Sequence, residues 1–175
     1  MQLVLVLVIA LPGFAGDPRE GERTGLLSEH LSTLSGDEPQ GLWRRFSVYI
    51  EGNPVRRSPA VLFLSRDGFV LALPVDLVAG EAAFGSGDPR SVTLSPDEDP
   101  EDTPAHDLAL GDLVYDYEIS AGGRVLSLYS TDPRSGVVAR ELYERLEPSG
   151  LEAAGLEASA LEEFLTLALN AAGAP

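Results

Sequence analysis

The stretch "AVLFLSRDGFVLAL", from Ala60 to Leu73, decides the predicted fold. Two apolar runs, Ala60–Leu64 and Phe69–Leu73, flank the dipeptide Asp67-Gly68, and an Asp-Gly pair between apolar runs is typical of a tight β-hairpin turn. Both runs are apolar throughout instead of alternating, which indicates strands that are covered on both faces. The stretch therefore predicts a hairpin at the centre of an antiparallel sheet.

Further strands are predicted on either side of this hairpin. Residues 46–50 alternate apolar and polar side chains with the period of a half-buried strand. Residues 113–119 alternate in the same way, and the turn Ala121-Gly122-Gly123 leads into a returning strand at 124–129, which makes a second hairpin. A short strand is predicted at 91–94, within the segment 80–107, whose composition otherwise favours irregular structure.

Three segments have the spacing of amphipathic helices: 24–36, 138–146 and 159–173. In the last of these, Ser159 and Glu162 match the S-x-x-E capping box that begins many helices. The strands therefore lie together in the middle of the chain, and the helices lie at its ends.

This order predicts an α+β fold: a mainly antiparallel sheet of about five to six strands, with an N-terminal helix and two C-terminal helices packed on one face. A chain of 175 residues is long enough for one domain with a full core. We expect a single α+β domain over residues 17–175, with an acidic loop at 95–107.

Residues 1–16, "MQLVLVLVIALPGFAG", contain an unbroken apolar run from Leu3 to Leu11. The run is shorter than the roughly 18–20 residues that span a bilayer, so no stable membrane anchor is expected. Its length and the small residue Ala15 predict a signal peptide, although only the terminal amine supplies positive charge before it. We therefore expect export to the periplasm or secretion. The alternatives are a buried strand in a cytoplasmic protein and a misplaced start codon.

The composition excludes several kinds of function. The net charge is −16, and residues 94–175 alone hold seventeen acidic side chains against four arginines. Nucleic acid is therefore not an expected partner, because its binding depends on cationic side chains that neutralise phosphates. The chain has no cysteine and no lysine, which excludes disulfides, thiolate chemistry and lysine-based catalysis. A protein or peptide partner, including a basic one, is the better electrostatic match.

The tract "SPDEDPEDTPAHD", from Ser95 to Asp107, carries six carboxylates, three prolines and one histidine. Asp97 and Asp99 have the D-x-D spacing of a calcium loop, but Asp102 stands where the loop needs its glycine. The prolines and the mutual repulsion of the carboxylates favour an extended, solvated loop. No metal site is predicted.

Neither catalytic residues nor a cofactor site is predicted. The two histidines, His30 and His106, are not part of an H-E-x-x-H motif, and no G-x-S-x-G nucleophile elbow is present. A carboxylate pair could still perform acid–base catalysis, so an unrecognised hydrolase remains one hypothesis.

Two arginine pairs form a candidate site for an anion or a partner. Arg44 and Arg45 precede the strand at 46–50, and Arg56 and Arg57 follow it across a turn, with Trp43 beside the first pair. If the chain folds back at the turn, the pairs lie close together and form a cationic patch. The charge balance favours the other arrangement, in which they pair with the carboxylates of the C-terminal half, because a chain with a net charge of −16 has carboxylates to spare.

The function that these observations favour is that of a non-catalytic, exported, acidic binding or accessory protein that engages a protein or peptide. The first alternative is a carrier of a small hydrophobic ligand or lipid, in which six residues of the central hairpin line a cavity between the sheet and the helices: Leu62, Phe63, Leu64, Phe69, Val70 and Leu71. An ordinary packed core explains the same six residues. An unrecognised hydrolase is the third hypothesis.

Overall fold

A computed structural model of the protein describes residues 18–34, 38–56, 59–73, 76–97, 112–154 and 156–173. Within these ranges the chain forms nine β-strands, two α-helices and two short 3₁₀ turns. The elements in chain order are α1 Pro18–Ser32, β1 Gly41–Ile50, β2 Asn53–Val55, β3 Val61–Leu64, β4 Gly68–Leu73, β5 Asp76–Gly85, β6 Arg90–Pro96, β7 Leu113–Ser120, β8 Val125–Thr131, β9 Val138–Arg145, the 3₁₀ turns Pro148–Gly150 and Glu152–Ala154, and α2 Ala158–Ala171.

Eight of the strands form a closed antiparallel barrel. The pairing order is β1-β3-β4-β5-β6-β7-β8-β9, and β9 pairs again with β1 to close the ring. β2 lies outside the barrel and pairs with β1 alone among the described strands. The predicted α+β sheet of five to six strands with three helices is therefore wrong, because closure of the sheet needs strands that the residue pattern did not reveal.

The closing strand β9 is the largest difference from the prediction, because residues 138–146 have the spacing of an amphipathic helix. In the structure they form a strand that pairs with β1 on one side and β8 on the other. Glu141 and Tyr143 point into the barrel, while Arg140 and Glu144 point outward. Two ladders of hydrogen bonds outweigh a helix preference that amounts to tenths of a kcal/mol per residue. Only one C-terminal α-helix remains.

Another strand that the sequence does not predict is β5, whose second half lies in the segment 80–107, where irregular structure is expected. It pairs with β4 along one edge and with β6 along the other. Gly80 lies opposite Pro96 at the end of the pairing with β6, where a Cβ atom would stand 2.1 Å from the carbonyl oxygen of Ser95. Only glycine permits this approach, so a residue that resembles a loop signal here serves a strand.

The two predicted hairpins are confirmed. β3 and β4 pair from Val61–Ala72 to Leu64–Phe69, and β7 and β8 pair from Ser120–Val125 to Asp116–Tyr129. Along β7 the residues alternate between half-buried and exposed, as the residue pattern predicts.

The apolar hairpin β3–β4 separates two hydrophobic cores. Leu62, Leu64 and Phe69 belong to the core inside the barrel. Phe63 and Val70 belong to a second core between the outer barrel wall and the helices. Each arm is covered on both faces, as its unbroken hydrophobicity predicts, but the cover is a barrel interior on one side and a helix layer on the other.

The helices differ from the prediction mainly at their ends. α1 begins at Pro18, six residues before the predicted start, and its Leu27 is fully buried in the outer core. α2 has Glu157 at its N-cap without a side-chain cap, so the predicted capping box does not form. Glu162 instead accepts a hydrogen bond from Arg23 of α1 at 3.2 Å.

One end of the barrel is closed by Arg145 and Trp43. The Arg145 guanidinium lies 4.3 Å from the centre of the Trp43 ring, whose Nε1 donates to the carbonyl of Pro39 at 2.8 Å. The same guanidinium donates to three carbonyls, those of Gly123 at 2.7 Å, Glu38 at 3.0 Å and Gln40 at 3.2 Å. It thus joins the end of β9 to the β7–β8 turn and to the segment before β1. We call this end of the barrel the closed end.

Candidate functional site

The opposite end of the barrel, which we call the mouth, holds the candidate site. Strands β1 and β6 end at the mouth, at Ile50 and Pro96, and β7 begins there at Leu113. Residues 132–137 cross the mouth between β8 and β9. Here β1 and β9 are held by Glu51, whose Oε1 accepts a hydrogen bond from the backbone N–H of Val138 at 2.7 Å.

A cavity of about 610 Å³ lies at the mouth between β7, β8 and β9. The paired register of β7 and β8 ends at Asp116 and Tyr129, although both strands continue for two or more residues toward the mouth. The cavity occupies the space where they separate. Its wall is mainly apolar, with Ile50, Leu113, Tyr115, Val137 and Ala139, and Asp112, Ser130 and Asp132 are among its polar lining residues. The volume is within the range of roughly 300–1,000 Å³ that is usual for small-molecule sites.

Exposed apolar side chains are concentrated at this cavity. Val114 is 58% exposed and Val137 is 36% exposed, and both line the cavity. Val138, which follows Val137 in the sequence, is 44% exposed. Single exposed apolar residues need no explanation, but a group of them beside a cavity is typical of a binding site.

A polar cluster lies inside the barrel, below the cavity. Arg45 of β1 donates to Glu141 of β9 at 3.0 Å, and the Tyr143 hydroxyl donates to the same carboxylate oxygen at 2.8 Å. These side chains are largely buried, with 12% of Arg45 and 21% of Glu141 exposed. The mutual pairing makes their burial tolerable, because an unpaired charge in this position would be costly.

Tyr115 connects the polar cluster to the cavity, because it lines the cavity and also interacts electrostatically with Glu141 and Arg45. Burial raises its pKa to about 12, the carboxylate of Glu141 acts in the same direction, and Arg45 acts against them. The phenol is therefore neutral at physiological pH. Burial and the neighbouring Glu141 also raise the pKa of Tyr143.

Asp132 fixes the turn that crosses the mouth. Its Oδ1 accepts hydrogen bonds from the backbone N–H groups of Arg134 at 2.7 Å and Ser135 at 3.2 Å. These donors lower the pKa of Asp132 below its ordinary value, because they favour the charged carboxylate. The side chain stays ionised at the edge of the cavity.

The five residues of the predicted anion or partner patch are separated by the barrel wall. Trp43 is fully buried inside the barrel, and Arg45 also points inward to Glu141. Arg44 points outward, where its Nε donates to Glu144 at 2.8 Å. Arg56 is exposed just after β2, and Arg57 lies outside the described residues. Adjacent residues of a strand point to opposite faces, so β1 cannot present Arg44 and Arg45 on one surface.

The other predicted features lie away from the cavity or outside the described residues. None of the six hairpin residues that were considered for a carrier lines it, since they pack in the two cores. His30 lies on α1, which packs against α2. Residues 1–16, His106 and most of the acidic loop, including Asp99, are outside the described ranges, whereas Asp97 follows β6 and bonds through its N–H to Ala79.

The sequence pattern predicts the orientation of only some of the residues at the cavity. The alternation of β7 identifies Leu113 and Tyr115 as inward-facing, but nothing marks the space beside them. Ala139 and Glu141 were assigned to a helix, which hid their common orientation. Where the structure describes the chain, no group of three potential metal ligands converges, and no helix has the length and hydropathy needed to cross a bilayer.

Comparison of the sequence with known proteins found no family model that matches the chain and no curated protein with significant similarity to it.

Proposed function

We propose that the protein binds a small, largely apolar molecule in the mouth cavity and acts as a carrier or sensor of that molecule. The observation that carries the proposal is the combination of a cavity of about 610 Å³ with exposed valines at its edge. Eight-stranded barrels are either filled by side chains or hold one small ligand. In this barrel the closed end is filled, and the space lies at the mouth.

The distribution of side-chain sizes supports this division. Trp43, Leu64, Phe69 and Leu126 are fully buried and belong to the core inside the barrel. At the mouth, β9 contributes Ala139 and β8 contributes Ser130, which leave space where larger residues would fill it. The cavity therefore follows from residue size as well as from the separation of β7 and β8.

The polar cluster defines the inner limit of the site. The ion pair of Arg45 and Glu141 is an unfavourable environment for a hydrocarbon chain, so the ligand stops at its level. Tyr115 lines the cavity and interacts electrostatically with this ion pair, so it connects the cavity to the polar cluster. The expected ligand thus has an apolar body and at least one polar end.

The proposal is tested by titrating the full chain with the neutral dye N-phenyl-1-naphthylamine, whose fluorescence rises in apolar sites. We expect saturable binding with one site per chain. Ala139→Phe fills the cavity from β9 and should abolish binding. The matched control is Ala83→Phe, which places the same side chain on the exposed outer face of β5 and should leave binding unchanged.

The outcomes separate clearly. No saturable binding of the dye, or binding that is equal in both phenylalanine variants, contradicts the proposal. The single tryptophan, Trp43, lies at the closed end and reports whether each variant has folded.

The remaining expectations about function stay predictions. A protein or peptide partner, export and an unrecognised hydrolytic activity are neither supported nor opposed by the geometry of the mouth. No histidine is among the described residues that line the cavity.

A further inference from the structure

We propose that the mouth cavity selects cationic amphiphiles, molecules with an apolar body and an ammonium group, and disfavours carboxylates of the same chain length. This inference rests on the proposed function, since it names the ligand class of the same cavity. Ionised groups lie on both the outer and the inner side of this cavity.

Two carboxylates lie on the outer side of the cavity. Asp112, just before β7, and Asp132, just after β8, both line it. Asp132 is held ionised by the backbone N–H groups of its turn. A ligand head group on the outer side of the cavity therefore meets a wall that contains two carboxylates.

The two ends of the barrel differ in the charged side chains that the described connections and the adjoining strand ends carry. At the mouth there are five carboxylates and two arginines: Glu51, Asp76, Asp97, Asp112 and Asp132 against Arg56 and Arg134. At the closed end there are four of each: Glu38, Asp67, Asp88 and Glu147 against Arg66, Arg90, Arg124 and Arg145. Among the residues that the structure describes, the excess of carboxylates is therefore at the mouth and not at the closed end. A charged entrance of one sign concentrates ligands of the other sign and repels like charges.

The inner side of the cavity does not supply a cationic anchor that could bind a carboxylate. The guanidinium of Arg45 is engaged by Glu141, and neither residue lines the cavity, whereas Tyr115, which interacts with both charges, does. Of the two charges, Glu141 has the larger effect on the Tyr115 phenol.

The test compares three ligands with the same ten-carbon chain: decyltrimethylammonium, decanol and decanoate. The two charged ligands are used below their micelle concentrations, and decanol is used below its solubility limit. Each displaces N-phenyl-1-naphthylamine from the full chain at low salt. We expect the ammonium ligand to bind about tenfold more tightly than decanol, roughly threefold for each of the two exposed carboxylates. Decanoate should bind more weakly than decanol. The spread should shrink at about 0.5 M salt, where the Debye length is only a few Å.

A pair of aspartate variants separates a local effect from the net charge of the protein. Asp112→Asn removes a carboxylate that lines the cavity and should lower the affinity for the ammonium ligand about threefold. Asp116→Asn makes the same change in net charge on the exposed outer face of the same strand and should have no effect. Decanol should bind equally to both variants, because it carries no charge.

Each result distinguishes the two proposals. If no ligand of the series displaces the dye, the proposed function fails. If decanol binds but decanoate binds at least as tightly as the ammonium ligand, the proposed function stands and the selection of cations is refuted. Equal effects of Asp112→Asn and Asp116→Asn also refute the selection, because the preference would then come from the net charge.

Discussion

Replacing Arg145 by methionine should destabilise the protein far more than the same replacement at Arg140. Both arginines lie on β9 and stack on an aromatic ring, Arg145 at 4.3 Å from the centre of Trp43 and Arg140 at 5.2 Å from that of Tyr129. They differ in position, because Arg145 closes the end of the barrel, whereas Arg140 is exposed on its outer face. The comparison isolates what the closed end contributes.

The expected cost follows from the contacts of the Arg145 guanidinium. It donates hydrogen bonds to the carbonyls of Gly123, Glu38 and Gln40. A hydrogen bond from a charged donor contributes roughly 1.5–3 kcal/mol, and a cation–π contact about 1–2 kcal/mol. The guanidinium is only partly buried, so water replaces some of these bonds in the variant. We expect a net loss of about 3–4 kcal/mol, or a fall in Tm of roughly 10 °C for a domain of this size.

The assay is urea denaturation followed by tryptophan fluorescence, which is specific because the chain has one tryptophan and Arg145 covers it. Arg140→Met should cost less than about 1 kcal/mol. Arg145→Lys keeps the charge but not the planar fork, and should fall between the two at about 2 kcal/mol. If the methionine variants at 145 and 140 lose equal stability with unchanged m-values, the closed end does not depend on this arginine and the reasoning is refuted.

Three further predictions test the barrel interior, the close approach of β5 to β6 and the helix layer, each by urea denaturation. Burial raises the pKa of Tyr115 to about 12 and that of Tyr143 well above its ordinary value, so the folded state keeps protons that the unfolded chain releases above about pH 10. The free energy of unfolding therefore falls as the pH rises from about 10 toward the folded-state pKa, by up to about 1.4 kcal/mol per pH unit for each tyrosine. Gly80→Ala places a methyl group 2.1 Å from a backbone oxygen and should cost about 3 kcal/mol, whereas Gly21→Ala in α1 meets no atom within 4 Å and should stabilise by about 0.5–1 kcal/mol. Phe164→Ala removes a ring that is fully buried between α2 and the barrel wall and should cost about 3–5 kcal/mol.

Specific results would contradict these three predictions. Constant stability between about pH 10 and 12 would mean that the two tyrosines are accessible to water in the folded protein. A neutral or stabilising Gly80→Ala would show that the backbone of β6 does not approach Gly80 as closely as described. A cost below about 1 kcal/mol for Phe164→Ala would mean that the helix layer contributes little to the core.

The strands with local signals were the ones that the sequence predicted. The hairpins at β3–β4 and β7–β8 were found because their turn residues and their side-chain periods lie within about fifteen residues of each other. β5 and β9 were missed for different reasons. Gly80 and Gly85 interrupt the pattern of β5, and their role depends on the neighbouring strand β6. In β9 the inward-facing residues include the charged Glu141, which a sequence pattern assigns to the solvent side.

The candidate site was less predictable than the fold elements. Tyr115 was identified as one member of an alternating strand, but its position at a cavity depends on the separation of β7 from β8. Arg44 and Arg45, two residues of the predicted cationic patch, have carboxylate partners on β9. The possibility of such internal pairing was visible in the charge balance, but the identity of the partners was not.

The sequence by itself determined the strong negative charge of this protein, the chemistry that the lack of cysteine and lysine excludes, and the two hairpins, of which β3–β4 is covered on both faces. Only the tertiary structure decided that the sheet closes, that β9 is its closing strand, and that the mouth contains a cavity bordered by carboxylates. The physical reason is the range of the interactions. Turn propensity and side-chain period act between neighbouring residues, whereas closure joins residues such as Arg44 and Glu144, which are 100 positions apart, and their pairing is favourable only after the intervening strands have formed.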